Sequence, residues 1–346
     1  MTGRCRYAAP AFSIMSALEP LGIVHGTAAQ AALASGVALP LAGGPAAFTL
    51  VRRDGLVRPV ACVPADWAVQ GLTSAPSAWA GLNRWPLVMG ILNVTPDSFS
   101  DAGDTMAAVD AVRVGRQMLA DGAAILDIGG ESTRPGAAPV APEEEQRRIL
   151  PVITALAGFG ALVSVDSRNA ATMAAALDAG ATIVNDVSAL AHDPLAARLV
   201  ASRRCPVVLM HMRGTPASMD SHALYHDVVL DVLAGLADRI MVAEAAGVDR
   251  SNIVVDPGIG FAKTAAHNVD LLQRLPALLG LGCRMMVGVS RKSLIGTLGS
   301  APDPKQRIGG SLAAGLFALA QGASILRVHD VATTVQAVQI WRELAG

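Results

Sequence analysis

The sequence predicts a (β/α)8 TIM barrel with an N-terminal extension, and three observations predict it. Eight short apolar runs recur from Leu87 onward, each closing on polar residues: LVMGILN, AAILDIGG, ALVSVDSR, ATIVNDVS, PVVLMHMR, NIVVDPGIG, RMMVGVSR and ASILRVHD. Stretches of helical period separate them, and from Asn93 to Arg327 the intervals average about 33 residues, the size of a βαβ unit. Gly-Ala stands directly before a strand three times, at Gly122-Ala123, Gly180-Ala181 and Gly322-Ala323, where a helix would close on a left-handed glycine. Eight such units fit in roughly 260 residues. A doubly wound open sheet is the alternative. It would need a glycine-rich phosphate loop after its first strand, and NVTPDSFSDAGD is not one.

In chain order, residues 1–85 read as a small accessory subdomain and residues 86–346 as the barrel. The first part is interrupted by Gly and Pro and carries no chemical motif. Within it, AFTLVRRDGLVRPVACV reads as a hairpin turning at Asp54-Gly55, a pair suited to the positive φ of a tight turn. TSAPSAWAGLNRWP, rich in loop formers, reads as a linker. Beyond it, each apolar run is short and uniformly apolar, as a parallel strand buried on both faces requires. MAAVDAVRVGRQMLADG and PLAARLVASRR place apolar residues at helical spacing between strands. EEEQRR at 143–148 suits the first turns of a solvated helix, where the dipole favours acids.

Composition narrows the function. The 346 residues hold 27 Lys+Arg against 28 Asp+Glu, a net charge of -1, so no basic excess exists to neutralise nucleic-acid phosphates. With 52% hydrophobic and 16% charged residues, extensive disorder is excluded. A mean hydropathy of +0.44 raises the question of a membrane span, but Pro20, Gly22, Pro40 and Gly43 break one candidate stretch. Ser311, Gln321 and Ser324 break the other. Cys5, Cys62, Cys205 and Cys283 have neither metal-ligand nor redox spacing, and the first twenty residues lack a compact apolar run before a cleavage site. A cytoplasmic protein with reduced thiols and no membrane partner is the expectation.

In a barrel, function sits at the C-terminal strand ends and the loops that follow. Those ends hold Asn93, Asp127, Asp166, Asn185, His211, Asp256, Lys292, Arg327 and His329. Asp and Asn there can simply cap the next helix. Lys and Arg cannot be explained that way, because a helix N-terminus disfavours cations. Lysine is also scarce: Lys263, Lys292 and Lys305 are the only three, and two of them follow barrel strands. The loops NVTPDSFSDAGD and GGESTRPGAAP combine turn formers with Phe99, Asp101, Thr133 and Arg134, and read either as ordinary surface loops or as flaps over a substrate.

MGILNVTPDSFSDAG, DIGGESTRPGA, VSVDS, IVNDVSA, DPGIGFAKT, GVSRKSLIG and RVHDV, in that order, closely resemble the motifs of the dihydropteroate synthase family. The resemblance spans about residues 86–346 and does not reach residues 1–85. Ala102, Ile259 and Ala262 depart from residues common in the family, and the polar positions are intact. The resemblance implies a pterin-binding barrel. Its members join 6-hydroxymethyl-7,8-dihydropterin diphosphate to p-aminobenzoate, release pyrophosphate, use Mg2+, are inhibited by sulfonamides and are commonly homodimers.

The residues suit that chemistry. Asp256 can accept two donors from the pterin edge, with Asp166 and Asn185 completing the pattern, and Lys292 can donate to the ring carbonyl and nitrogen. Arg327 can stack its plane on the pterin while its edge meets phosphate. Asn93 offers a neutral oxygen to Mg2+, and His329 can hold the diphosphate. The resemblance puts Thr133, Arg134, Phe261 and Ser290 against p-aminobenzoate, with Phe99 and Asp101 on the loop that closes over it. Asp127 would organise the second loop or the phosphate site.

Other readings of the barrel are a Schiff-base aldolase using Lys292, a non-catalytic pterin-binding module, and a pterin-dependent methyltransferase domain. The presence of both NVTPDSFSDAG and STRPG favours the synthase over the last two. His211, His222 and His226 are not expected to bind zinc, since no carboxylate or Cys stands at ligand spacing beside them.

Overall fold

A computed structural model describes residues 17–64, 67, 69–95, 104–132, 136–137 and 139–345 of the chain. The N-terminal part forms a small antiparallel sheet: β1 (Glu19–Val24), β2 (Leu39–Pro40), β3 (Ala47–Arg53) and β4 (Leu56–Pro59). β3 is central, paired with β1 on one side and with β2 and β4 on the other. The β3–β4 hairpin turns at Asp54 (φ 51) and Gly55 (φ 78), two consecutive left-handed residues whose twist matches that of the strands. Phe48 and Val51 of β3 are fully buried, and helix Gly26–Ala34 covers the sheet through Ala29.

The remaining strands close into an eight-stranded parallel barrel: β5 (Leu87–Asn93), β6 (Ile125–Gly129), β7 (Val163–Asp166), β8 (Ile183–Asp186), β9 (Val207–Met210), β10 (Ile253–Asp256), β11 (Arg284–Val287) and β12 (Ile325–Val328). β12 pairs with β5, which completes the ring. The eight apolar runs of the sequence are these eight strands. Gly122, Gly180 and Gly322 take φ of 99, 109 and 95, so each helix before them ends on the left-handed residue the Gly-Ala pairs require.

Alternation along the strands divides the interior in two. Leu87, Met89, Ile125, Ile183, Val208, Val254, Met286 and Ile325 fill the lower barrel, while Val88, Leu126, Val165, Val184 and Leu209 face the helices. Two to four residues further along the same inward faces, the side chains become polar: Asn93, Asp127, Asp166, Asn185, Asp256 and Arg327.

The segment 74–86 is not a free linker. Trp79, 1% exposed, packs into the lower barrel among Leu87, Met89, Ile125 and Met286, and its Nε1 donates to the Asn252 carbonyl at 2.8 Å. Arg284 holds the same segment by donating to the carbonyls of Ser77 (2.7 Å) and Pro76 (3.2 Å). The bulky indole adds to the packing of these strand side chains at the bottom of the barrel. EEEQRR also departs from its reading as a solvated turn. Helix Pro142–Gly158 starts there, but Glu145 is fully buried and accepts from Ser167 Oγ and Asn169 Nδ2, both at 3.0 Å.

Candidate active site

The polar ring at the upper mouth is built around Arg327, the inward residue of β12. Its Nε donates to Asp127 Oδ2 at 2.6 Å and its Nη2 to Asp166 Oδ2 at 2.7 Å. Asn185 Nδ2 donates to the same Asp127 oxygen at 2.9 Å. Asp127 is wholly buried and its Oδ1 has no hydrogen-bond partner among the described residues. These contacts alter two sequence expectations. Asp127 fixes Arg327 from beneath, and carboxylates take Nε and one Nη2 position of the edge proposed for phosphate, leaving Nη1 and the plane to a ligand.

Two carboxylates share this one guanidinium. Burial pushes the Asp166 carboxyl up to about 7; Arg327 opposes the rise and the charge of Asp127 adds to it. Burial works against the Arg327 charge, but Asp127 and Asp166 override it and hold its pKa above the ordinary value.

Asp256 ends β10 and is 5% exposed. Its Oδ1 accepts from the Gly258 N–H at 2.7 Å, which leaves Oδ2 for a ligand. Burial raises its pKa, against the opposing charge of Lys292. The turn needs glycine: Gly258 has φ +66, and a Cβ there would lie 2.0 Å from the His211 carbonyl oxygen.

Lys292 is the residue before helix Ser293–Leu298, yet its side chain caps nothing. Its Nζ donates to the Ile259 carbonyl and lies 4.6 Å from the centre of the Phe261 ring. Burial lowers its pKa to about 8, against the pull of Asp256. Lys292, Phe261 and Asp256 therefore form one wall of the mouth.

Ser290 and His329 meet beside it. The Ser290 hydroxyl accepts from the His329 backbone N–H at 3.1 Å and lies 3.1 Å from Nδ1 of the same residue. The hydroxyl, with one proton and two lone pairs, can serve either tautomer of the ring. Ser290 thus supports His329 as well as bordering the site.

The sequence reading missed Lys263 as a site residue, although the scarcity of lysine had marked it. Its Nζ donates to the carbonyls of Phe261 (2.9 Å), Gly258 (3.0 Å) and His211 (3.3 Å) and lies 3.1 Å from His211 Nδ1. It holds the 258–263 loop that carries Phe261 and the carbonyl partner of Lys292. Burial lowers Lys263 to about 7, and burial with the neighbouring Lys263 charge lowers His211 to about 3. Asn93 reaches the mouth from the interior face of β5. Phe99, Asp101, Thr133 and Arg134 lie outside the described residues. The stem of the second loop is described: Glu131 and Arg168 pair at 2.8 Å, both nearly buried.

A family description, "Pterin binding enzyme", matches residues 89–329, the whole span of the strands that carry this ring. The chain belongs to the pterin binding enzyme family. Its N-terminal sheet lies outside the matched span. Within the family it is 44% identical over 256 residues to dihydropteroate synthase of Escherichia coli, covering 74% of this chain and 90% of that one. It is 47% identical to a probable bifunctional folylpolyglutamate synthase/dihydropteroate synthase of Haloferax volcanii, covering 75% of this chain but only 30% of that longer protein. Dihydropteroate synthase of Xanthomonas albilineans, solved with 4-aminobenzoic acid, matches at 49% identity and a TM-score of 0.72, covering 75% of this chain and 93% of that chain. A further structure of that enzyme holds 7,8-dihydropteroate.

Proposed function

We infer that the barrel is a dihydropteroate synthase, a transferase of folate biosynthesis that joins 6-hydroxymethyl-7,8-dihydropterin diphosphate to p-aminobenzoate and releases pyrophosphate. The observation that carries the reading is the convergence of Asp127, Asp166, Asn185, Asp256, Lys292 and Arg327 at one mouth of the barrel, from six different strands or their loops. Family membership displaces the aldolase reading of Lys292. The dihydropteroate synthase relatives favour the synthase over a non-catalytic module or a methyltransferase domain.

The chemistry follows from the ring. Asp256 Oδ2 accepts from the pterin amino and ring N–H edge, Lys292 donates to the ring carbonyl, and the Arg327 plane, held by Asp127 and Asp166, stacks on the ring. The bond from the pterin methylene to the diphosphate oxygen then breaks, the oxygen keeping the electron pair. Positive charge spreads into the reduced pterin, where the Asp256 carboxylate stabilises it. His329 donates a ring N–H to the departing diphosphate. The arylamine nitrogen of p-aminobenzoate forms the new bond to the methylene carbon and loses a proton. The family's Mg2+ fits Asn93: a neutral amide oxygen at the open mouth, with waters and substrate phosphate oxygens, is a donor set this ion accepts. When bound there it would supply positive charge to the leaving group.

The sequence motifs assign the p-aminobenzoate side to Thr133, Arg134, Phe261 and Ser290, with Phe99 and Asp101 closing over it. A sulfonamide, which mimics that substrate, should then compete with p-aminobenzoate alone. Exposed Phe317, Ile340 and Leu344 on the last two helices support a homodimer. Among the described residues no helix is long and apolar enough to cross a membrane. The unpaired thiols of Cys62, Cys205 and Cys283 support a cytoplasmic setting.

The test is direct. The purified chain, given the pterin diphosphate, p-aminobenzoate and Mg2+, should form dihydropteroate, with activity abolished by a chelator and restored by Mg2+. Tight pterin diphosphate binding without product would leave the non-catalytic module standing.

A further inference from the structure

Ser290 and Lys292 stand on either side of Arg291, and the backbone between them is strained. Arg291 has φ 58, in the left-handed region that disfavours any side chain. Glycine would take this conformation without that cost, so an arginine kept here points to a use for its side chain. The guanidinium forks onto Asp330, with Nε 2.9 Å from Oδ2 and Nη2 donating to Oδ1. The backbone is fixed as well. The Arg291 N–H donates to Ser311 Oγ at 2.9 Å, and its carbonyl accepts from Arg307 Nη1 at 2.8 Å.

Asp330 directly follows His329 and precedes helix Val331–Ala345. Its carbonyl accepts from the Thr334 N–H at 3.1 Å and from the Thr334 hydroxyl at 2.7 Å. The loops after β11 and β12 are therefore joined at two successive positions, Ser290 to His329 and Arg291 to Asp330. The two joints differ in kind. Ser290 meets His329 through contacts of 3.1 Å made by one hydroxyl. Arg291 and Asp330 form a partly buried, bidentate ion pair, the stronger class of contact.

We propose that Arg291 and Asp330 are positioning residues: their fork holds His329 at a fixed distance from Lys292, and so keeps the diphosphate end of the substrate in register with its pterin end. This rests on the synthase reading, which gives Lys292 the ring and His329 the diphosphate. The fixed point is helix Ile308–Ala320, because Ser311 in its first turn and Arg307 just before it hold the Arg291 backbone. Without the fork, Lys292 keeps its place on the Ile259 carbonyl beside Phe261. The turn carrying His329 loses its charged tie to that wall. A donor displaced in this way weakens its bonds to the diphosphate and leaves the ring contacts intact.

The experiment uses the full chain as Arg291→Gly, Asp330→Asn and the two combined. Glycine suits φ 58, so Arg291→Gly removes the fork while relieving the backbone. The His329 N–H donates to Ser290 Oγ, so its amide exchange reads the joint directly and should quicken about tenfold in each variant. Calorimetry should find pterin diphosphate bound about tenfold more weakly, and 6-hydroxymethyl-7,8-dihydropterin, which lacks the diphosphate, within about twofold of wild type. The combined variant should lose no more than either single one, because each already breaks the same fork. Wild-type exchange at His329 in both single variants overturns the proposal, as do additive losses in the combined variant or an equal loss for the two pterins. If wild type binds neither pterin, the synthase reading fails, and the exchange result still decides whether the fork holds His329.

Discussion

The two ends of this barrel are made from the same eight strands and obey opposite rules. At the bottom, Trp79 and the inward Leu, Ile, Val and Met residues exclude water, and the indole N–H and the Arg284 guanidinium both find backbone carbonyls. A few residues higher on the same inward faces, buried carboxylates crowd around one guanidinium, and Asp127 keeps an oxygen without a partner. The lower end gives up polarity for cohesion. The upper end retains charges that folding alone would not select, because a buried carboxylate costs free energy unless fully paired. Stability and function are thus separated along the barrel axis, a few ångströms of strand apart.

Substitutions at the two ends should therefore fail in different assays. The largest effect is expected at the bottom. Trp79→Ala removes a fully buried indole and leaves a cavity, at about 3–5 kcal/mol of unfolding free energy. Chemical denaturation should show the lost stability, and calorimetry on the folded fraction should find pterin diphosphate affinity little changed. A large affinity loss with intact stability would erase the separation.

At the top, Asp256→Asn should do the reverse. The amide cannot accept both pterin donors, which costs about 1–3 kcal/mol of binding, or roughly 5- to 150-fold in Kd. Unfolding free energy should stay level or rise, because burial already disfavours the Asp256 charge. Equal affinity for wild type and variant would remove Asp256 from the pterin site.

The smallest effect concerns pH. Asp166 has a folded pKa of about 7 against an ordinary value of 3.8, raised chiefly by burial. While pH climbs between those values, the unfolded chain releases this proton and the folded chain keeps it. The stability present below pH 3.8 is therefore lost progressively until about pH 7. Asp166→Asn has no such proton. Its Tm relative to wild type should improve as pH rises from 4 to 7. A difference in Tm that does not vary with pH would show that Asp166 stays ionised throughout.

Much of the upper end was legible in the sequence because strand alternation is local. A run such as ILDIG announces both its buried strand and the polar residue aimed inward, so Asp127, Asp166, Asn185, Asp256 and Arg327 could be named together. What they do to one another was not legible. Asp127 and Arg327 are 200 positions apart, and nothing local says that a guanidinium will use its edge on carboxylates. The bottom was read less well for a related reason. Trp79 sits among Ser, Pro, Gly and Asn, with no periodicity to reveal that one side chain enters the barrel. Glu145 looked like any acid in a first helical turn, and only packing against Ser167 and Asn169 makes it interior. Nor does local pattern announce that Arg291 and Asp330, 39 positions apart, will pair.

The plug at the barrel bottom has a consequence for the order of synthesis. Trp79 precedes all eight strands that enclose it, so the ribosome delivers the stopper before the vessel. At about 5–20 residues per second, on the order of ten to fifty seconds separate its emergence from that of Ile325 on the last strand. Through that interval the indole has no closed cavity to enter, while the small N-terminal sheet, complete by residue 59, can already have formed. The nascent chain thus carries an exposed tryptophan ahead of an open sheet. Ring closure and bottom closure become one late event.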